Sequence, residues 1–96
     1  MPAGYVIAQI SVTDPEAYKD YVRAVSPLVE KYGGEYLVRG GPAQHFEAEP
    51  IGERTVVIRF PSVQAATEWY NSDEYAPVRA MRQAASTSLQ TIVEGA

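Results

Sequence analysis

The stretch from Glu53 to Arg82, ERTVVIRFPSVQAATEWYNSDEYAPVRAMR, leaves this chain few ways to fold. Val56, Ile58 and Phe60 alternate with Thr55, Val57 and Arg59, the period of a two-faced strand over Arg54 to Phe60. Pro61 stops that strand, and Ser62 can cap a following helix through its hydroxyl. Val63, Ala66 and Trp69/Tyr70 then line one side of a short helix, which Asn71-Ser72-Asp73 interrupts. A proline is favoured in the first helical turn and pushes its predecessor out of helical space, so the next helix is expected to begin around Pro77. Its apolar stripe is Val78, Met81 and Ala85, with Arg82 at the edge, and Ser86 to Glu94 reads as a closing strand. The C-terminal half is a strand–helix–strand unit whose helix is broken in two.

The N-terminal half has the same order. Tyr5 to Val12 is rich in β-branched residues, with Val6, Ala8, Ile10 and Val12 as a purely apolar face. Asp14-Pro15-Glu16 combines an N-cap acceptor, a proline at the first helical position and an acid at the favourable end of the helix dipole. Tyr18, Tyr21, Val22, Val25, Leu28, Val29 and Tyr32 recur at helical spacing, with charged residues opposite, and a bend is expected near Pro27. Gly33-Gly34 ends the helix. Glu35 to Arg39 forms a short strand closed by Gly40-Gly41-Pro42, and a polar loop over residues 43–52 carries His45 and Phe46 at its tip. Right-handed crossovers interleave the two halves into an α+β, ferredoxin-like βαββαβ domain over residues 1–96, a four-stranded antiparallel sheet with its helices on one face.

Composition removes several functions. The chain has no cysteine and one histidine, so thiolate chemistry, disulfides and histidine-rich metal centres are excluded, and no metal or cofactor is expected. Twelve acids against eight bases argue against a phosphate-backbone partner. The start, MPAGYVIAQI, lacks a basic leader, and its apolar run is far shorter than a membrane segment. A soluble, cytoplasmic protein with neither nucleic-acid nor membrane partner is the expectation.

Helices on one face leave the other uncovered. Ile7, Gln9, Leu37, Val57, Arg59 and one parity of the last strand, either Leu89, Thr91 and Val93 or Gln90 and Ile92, lie there. Such a patch is too apolar for a monomer, and a second copy is its simplest cover, so a homodimer is expected. An RNA-binding relative of this fold would need base-stacking aromatics on the third strand, where this chain has Val57 and Arg59.

Several words of the chain, in order and spacing, resemble the bacterial family of domain of unknown function 1330. They are Tyr5-Val6-Ile7-Ala8, Asp14-Pro15-Glu16-Ala17-Tyr18 with Tyr21, and the run from Gly33 to Gly41. After these come Phe60-Pro61-Ser62, Trp69-Tyr70 with Ser72 and Tyr75, Arg82, and Val93-Glu94-Gly95. The resemblance implies a dimeric α+β barrel, ferredoxin-like, in a family without an established reaction. Two departures stand out: Arg59 takes a place where relatives often carry an acid, and Glu47-Ala48-Glu49-Pro50 replaces a loop that often holds a tryptophan.

For a site, side chains at the ends of elements can leave a gap that mid-element residues would close. Tyr18, Arg59, Trp69, Tyr75 and Arg82 are the candidate ligand-binding residues, in a pocket where the Phe60-Pro61-Ser62 corner meets the last helix. Two arginines there favour a small carboxylate with an apolar body. The bland alternative pairs each arginine with an acid, Arg82 with Glu94 for example. Three functions follow: a dimeric binder of a small organic anion, a cofactor-independent monooxygenase- or isomerase-like enzyme, or a purely structural dimer. No catalytic residue is marked by its neighbours.

Overall fold

A computed structural model describes residues 2–96. The elements are β1 (Gly4–Val12), α1 (Pro15–Lys31), β2 (Glu35–Arg39), β3 (Arg54–Phe60), α2 (Val63–Tyr70), α3 (Tyr75–Ala85) and β4 (Ser86–Glu94). The strands lie in the order β2-β3-β1-β4, every neighbouring pair antiparallel. This is the expected α+β, ferredoxin-like arrangement.

Local signals set the ends of α1. The Asp14 carboxylate accepts the Ala17 backbone N–H at 3.2 Å, with Pro15 opening the helix. The helix continues through Pro27 to Lys31. At its end Gly33 adopts φ +84°, and the Gly33 and Gly34 N–H groups return to the carbonyls of Glu30 and Val29. That is a Schellman cap, and it requires the left-handed conformation glycine accepts without strain. Ser62 caps α2 by accepting from the Ala65 N–H at 3.0 Å.

α3 departs from expectation. It begins at Tyr75, two residues ahead of Pro77. Ser72 supplies what the local bias against a helical pre-proline residue lacked. Its Oγ accepts the Tyr75 N–H at 3.1 Å, and its carbonyl accepts the Ala76 N–H. Pro77 still falls within the first turn, where a missing N–H costs nothing.

Strand alternation divides the sheet into two unlike faces. Val6, Ala8, Ile10, Val56, Ile58 and Phe60 are buried beneath the helices with Val25, Val29, Ala66, Trp69, Tyr75 and Ala85. On the other face the register aligns Val38, Val57, Ile7 and Thr91 across all four strands, with Tyr5 beside Val93 and Gln9 beside Leu89. The open parity of β4 is therefore Leu89, Thr91 and Val93. Ile7, Val38, Leu89 and Val93 are 40–51% exposed there.

Phe60 and Trp69 anchor the covered face, their rings 5.4 Å apart and both essentially inaccessible. Phe60→Ala should destabilise the fold by about 3–5 kcal/mol, a large share of the roughly 5–15 kcal/mol that holds such domains. Urea unfolding followed by circular dichroism measures this. A midpoint close to that of the parent chain would show that Phe60 is not the anchor described.

Candidate functional site

The polar residues of interest lie between the helices and the covered face of the sheet. α3 turns Tyr75, Arg82 and Ala85 inward at helical spacing. Beneath Arg82 the register sets Ser88 beside Ile10 and Gln90 beside Ala8, on the helix-facing side of β4. Arg82 donates to the Ser88 Oγ at 2.6 Å and to the Tyr70 hydroxyl at 3.3 Å. The Gln90 amide donates to the same Ser88 oxygen at 3.2 Å. Arg82 is 3% exposed, yet its Nε has no partner, and neither do the buried Nε of Arg54 and Nε1 of Trp69.

No carboxylate reaches this layer. All twelve acidic residues are exposed. Among the described residues the ion pairs are Lys19–Glu16, Arg23–Asp20 and Lys31–Glu74, all at the surface. The Arg82–Glu94 pairing is not formed: Arg82 sits at Ser88, while Glu94 lies at the other end of β4, opposite Gly4. Burial lowers the Arg82 pKa and the phenols of Tyr75, Tyr21 and Tyr70 raise it, with a balance above the ordinary value. The group is charged at any ordinary pH.

Tyrosines form the rest of the lining. The Tyr21 and Tyr75 hydroxyls are 2.9 Å apart in a buried contact. Tyr75 stacks on Trp69 with ring centres 4.4 Å apart, and the Arg79 guanidinium lies 5.1 Å from the centre of the Tyr70 ring. At the far ends of β2 and β3, Arg54 lies 5.5 Å from the centre of the Tyr18 ring, and Arg39 lies 4.1 Å over Tyr36 and donates to Ser26. Gly40, at φ +76°, lets Arg54 fold back, since a Cβ there would collide with the guanidinium. Between α1 and the sheet lies a cavity of about 30 Å³, lined in part by Tyr18, Tyr21, Tyr36, Arg54 and Trp69.

Four of the five candidate residues thus gather in one layer: Tyr18, Trp69, Tyr75 and Arg82 are all buried between helices and sheet. Arg59 does not join them. It is exposed on the opposite face, beside Tyr5 and Glu35, because it is one residue out of step with Ile58 and Phe60. Arg54 keeps their parity and takes the place expected of Arg59. The Phe60-Pro61-Ser62 corner is also not where the gap lies. There Gly34 packs so closely on Val29 and Phe60 that a Cβ would clash, whereas Arg82 and Tyr18 sit toward the opposite end of the sheet. To these the structure adds Arg54, Ser88 and Gln90. The alternation back from Phe60 points to Arg54, but nothing local chose between the two parities of β4.

Among the described residues no cluster of His, Asp and Glu could hold a metal ion, and no helix is long and apolar enough to cross a membrane. A family model described as "Domain of unknown function (DUF1330)" matches residues 3–96. Among curated proteins there is no match. Several solved structures share the fold. A protein of unknown function from Rhodopseudomonas palustris superposes with a TM-score of 0.81 at 19% identity, over 99% of this chain and 83% of that one. A hypothetical protein from Arabidopsis thaliana gives 0.71 at 13% identity, over 99% and 88%. SnoaB, a cofactor-independent oxygenase from Streptomyces nogalater, gives 0.63 at 12%, over 97% and 92%.

The buried phenols make stability depend on alkaline pH. Burial raises the pKa of Tyr18, Tyr21 and Tyr36; Tyr75 raises Tyr21 further, while Arg54 and Arg39 oppose the rise at Tyr18 and Tyr36. These groups keep their protons in the folded chain above the pH of 10.0 at which a free tyrosine titrates. Unfolded chains release them first, so this contribution is complete below pH 10.0 and is lost above it. Stability should fall by up to about 1.4 kcal/mol per pH unit for each retained proton. Urea melts across that range measure the slope, which should be shallower in Tyr21→Phe.

Proposed function

The chain belongs to the DUF1330 family, and from that premise we propose that it binds a small organic anion between its helices and its sheet. One observation carries the reading: Arg82 is a buried guanidinium without a carboxylate in a layer whose other ionisable groups are arginines and phenols. Stranding a charge there costs several kcal/mol, more than its hydrogen bonds to Ser88 and Tyr70 return. A carboxylate from outside offsets that cost and supplies an acceptor for the unpartnered Nε. Tyr18, Trp69 and Tyr75 fill the same buried layer with rings that offer no carboxylate of their own, so the acceptor has to come from a ligand.

The protein acts as a homodimer joined through the open sheet face. Ile7, Val38, Leu89 and Val93 support this, since a two-fold axis makes one apolar patch its own complement. A second reading is a cofactor-independent oxygenase, favoured by the likeness of fold to SnoaB and by the paired hydroxyls of Tyr21 and Tyr75. Oxygen uptake on adding hydroquinones would speak for it. A purely structural dimer is the third.

Arg82→Met separates binder from structural dimer. Replacing an unpaired buried cation by an apolar side chain of similar volume should leave stability unchanged or raise it by about 1–4 kcal/mol. The same change should abolish the thermal shift given by benzoate and branched aliphatic acids, which for a ligand at 100 times its Kd is worth about 2.7 kcal/mol. A variant that unfolds, with no acid stabilising the parent chain, would assign Arg82 a structural role. For assembly, light scattering at micromolar concentration should give twice 10.5 kDa. Val57→Glu, which buries a charge in the interface, should give a monomer or an unfolded chain.

A further inference from the structure

The cavity beneath α1 holds about 30 Å³, space for a water molecule and not for an organic acid. A larger groove of about 260 Å³ opens on the same side of the sheet, lined by Val6, Tyr70, Gln90 and Ile92. β4 is an edge strand, so the groove lies at the rim of the sheet. Val6 and Gln90 are walls of both spaces. The two polar walls of the groove are also the side chains that lead to Arg82: the Tyr70 hydroxyl accepts from it directly, and Gln90 shares its Ser88 partner.

We propose, on the footing of the anion-binding reading above, that this β4-edge groove is the ligand's entrance and the seat of its apolar body. In this arrangement Gln90 stands between the groove and Arg82. The ligand's carboxylate displaces the Gln90 amide, accepts the Ser88 hydroxyl proton and meets the guanidinium. Its body rests on Val6, Ile92 and the Tyr70 ring.

Chemistry and size limit the class. The other walls are aliphatic, so the groove offers no cation to a second charge on the ligand, and it favours a monocarboxylate. The volume lies just under the roughly 300–1,000 Å³ of sites for drug-sized molecules, which suits a compact aromatic or branched acid. Association through the open face would leave the groove free. Ile92 and Gln90 point to the helix side of β4, whereas Leu89 and Val93 point to the other.

The test is calorimetric titration of benzoate and phenylacetate, with benzamide and phthalate as controls, into the full chain, Ile92→Trp and Val22→Phe. Ile92→Trp fills the groove; Val22→Phe fills the inner cavity. The groove predicts binding of the monocarboxylates alone, weakened at least about tenfold in Ile92→Trp and little changed in Val22→Phe. Weakening in Val22→Phe with Ile92→Trp unaffected would overturn the groove and leave the anion reading standing. Failure of every acid to bind the parent chain would overturn both. Should Ile92→Trp not fold, methyl resonances of the parent chain decide. Shifts on benzoate at Ile92 and Val6 support the groove, and shifts confined to Val22, Val25 and Val56 overturn it.

Discussion

Trp69, on α2, is the point at which the layers of this protein are joined, because its ring meets β3 through Phe60 and α3 through Tyr75. Tyr75 carries the connection to α1 by its hydroxyl contact with Tyr21. Aromatic pairs at these separations contribute about 0.5–1.5 kcal/mol each beyond the area they bury. Their geometric effect is larger than their sum. With Tyr75 held against Trp69, the helical repeat of α3 fixes where Arg82 enters the layer, and Ser72 fixes where that helix starts.

The position of Arg82 runs against the charge balance of the chain. A protein with net charge −4 has its carboxylates outside and its least exposed ionic group positive. Folding alone gives no reason for this, since an apolar residue would fill the same volume at lower cost. Sites that bind charged ligands accept such costs, because the penalty in the empty state becomes differential affinity when the ligand arrives. Serine, glutamine and phenols around the guanidinium lessen the cost without neutralising the charge.

The two faces of the sheet differ in cover and in chemistry. One face is closed by helices and holds Arg54, Arg82, Ser88 and Gln90, while Arg59 lies on the other. The other carries a row of aliphatic side chains, Val38, Val57 and Ile7, that no helix covers. Tyr36 and Val38 occupy opposite faces despite their even spacing, because an irregularity in β2 shifts the register between them. That bulge places Arg39 on the helix side, over Tyr36.

What could be read directly from the sequence was what neighbouring residues decide among themselves. Asp14-Pro15, Gly33-Gly34 and Pro61-Ser62 set helix ends through caps a few residues long, and the alternation in β1 and β3 assigned their faces, since side-chain direction in a strand has a period of two. From those the ferredoxin-like order follows. Tertiary structure decided the rest. The parity of β4 depends on its register with β1, where both alternatives were apolar enough to be covered. The start of α3 depends on a serine that outweighs a proline's local bias. Tyr18, Trp69, Tyr75 and Arg82 were legible from helical spacing, and Arg54 in place of Arg59 was within reach by one more step of the alternation. That Arg82 has no carboxylate partner could not be read at all, because a partner is a matter of distance in space, and the sequence records only distance along the chain.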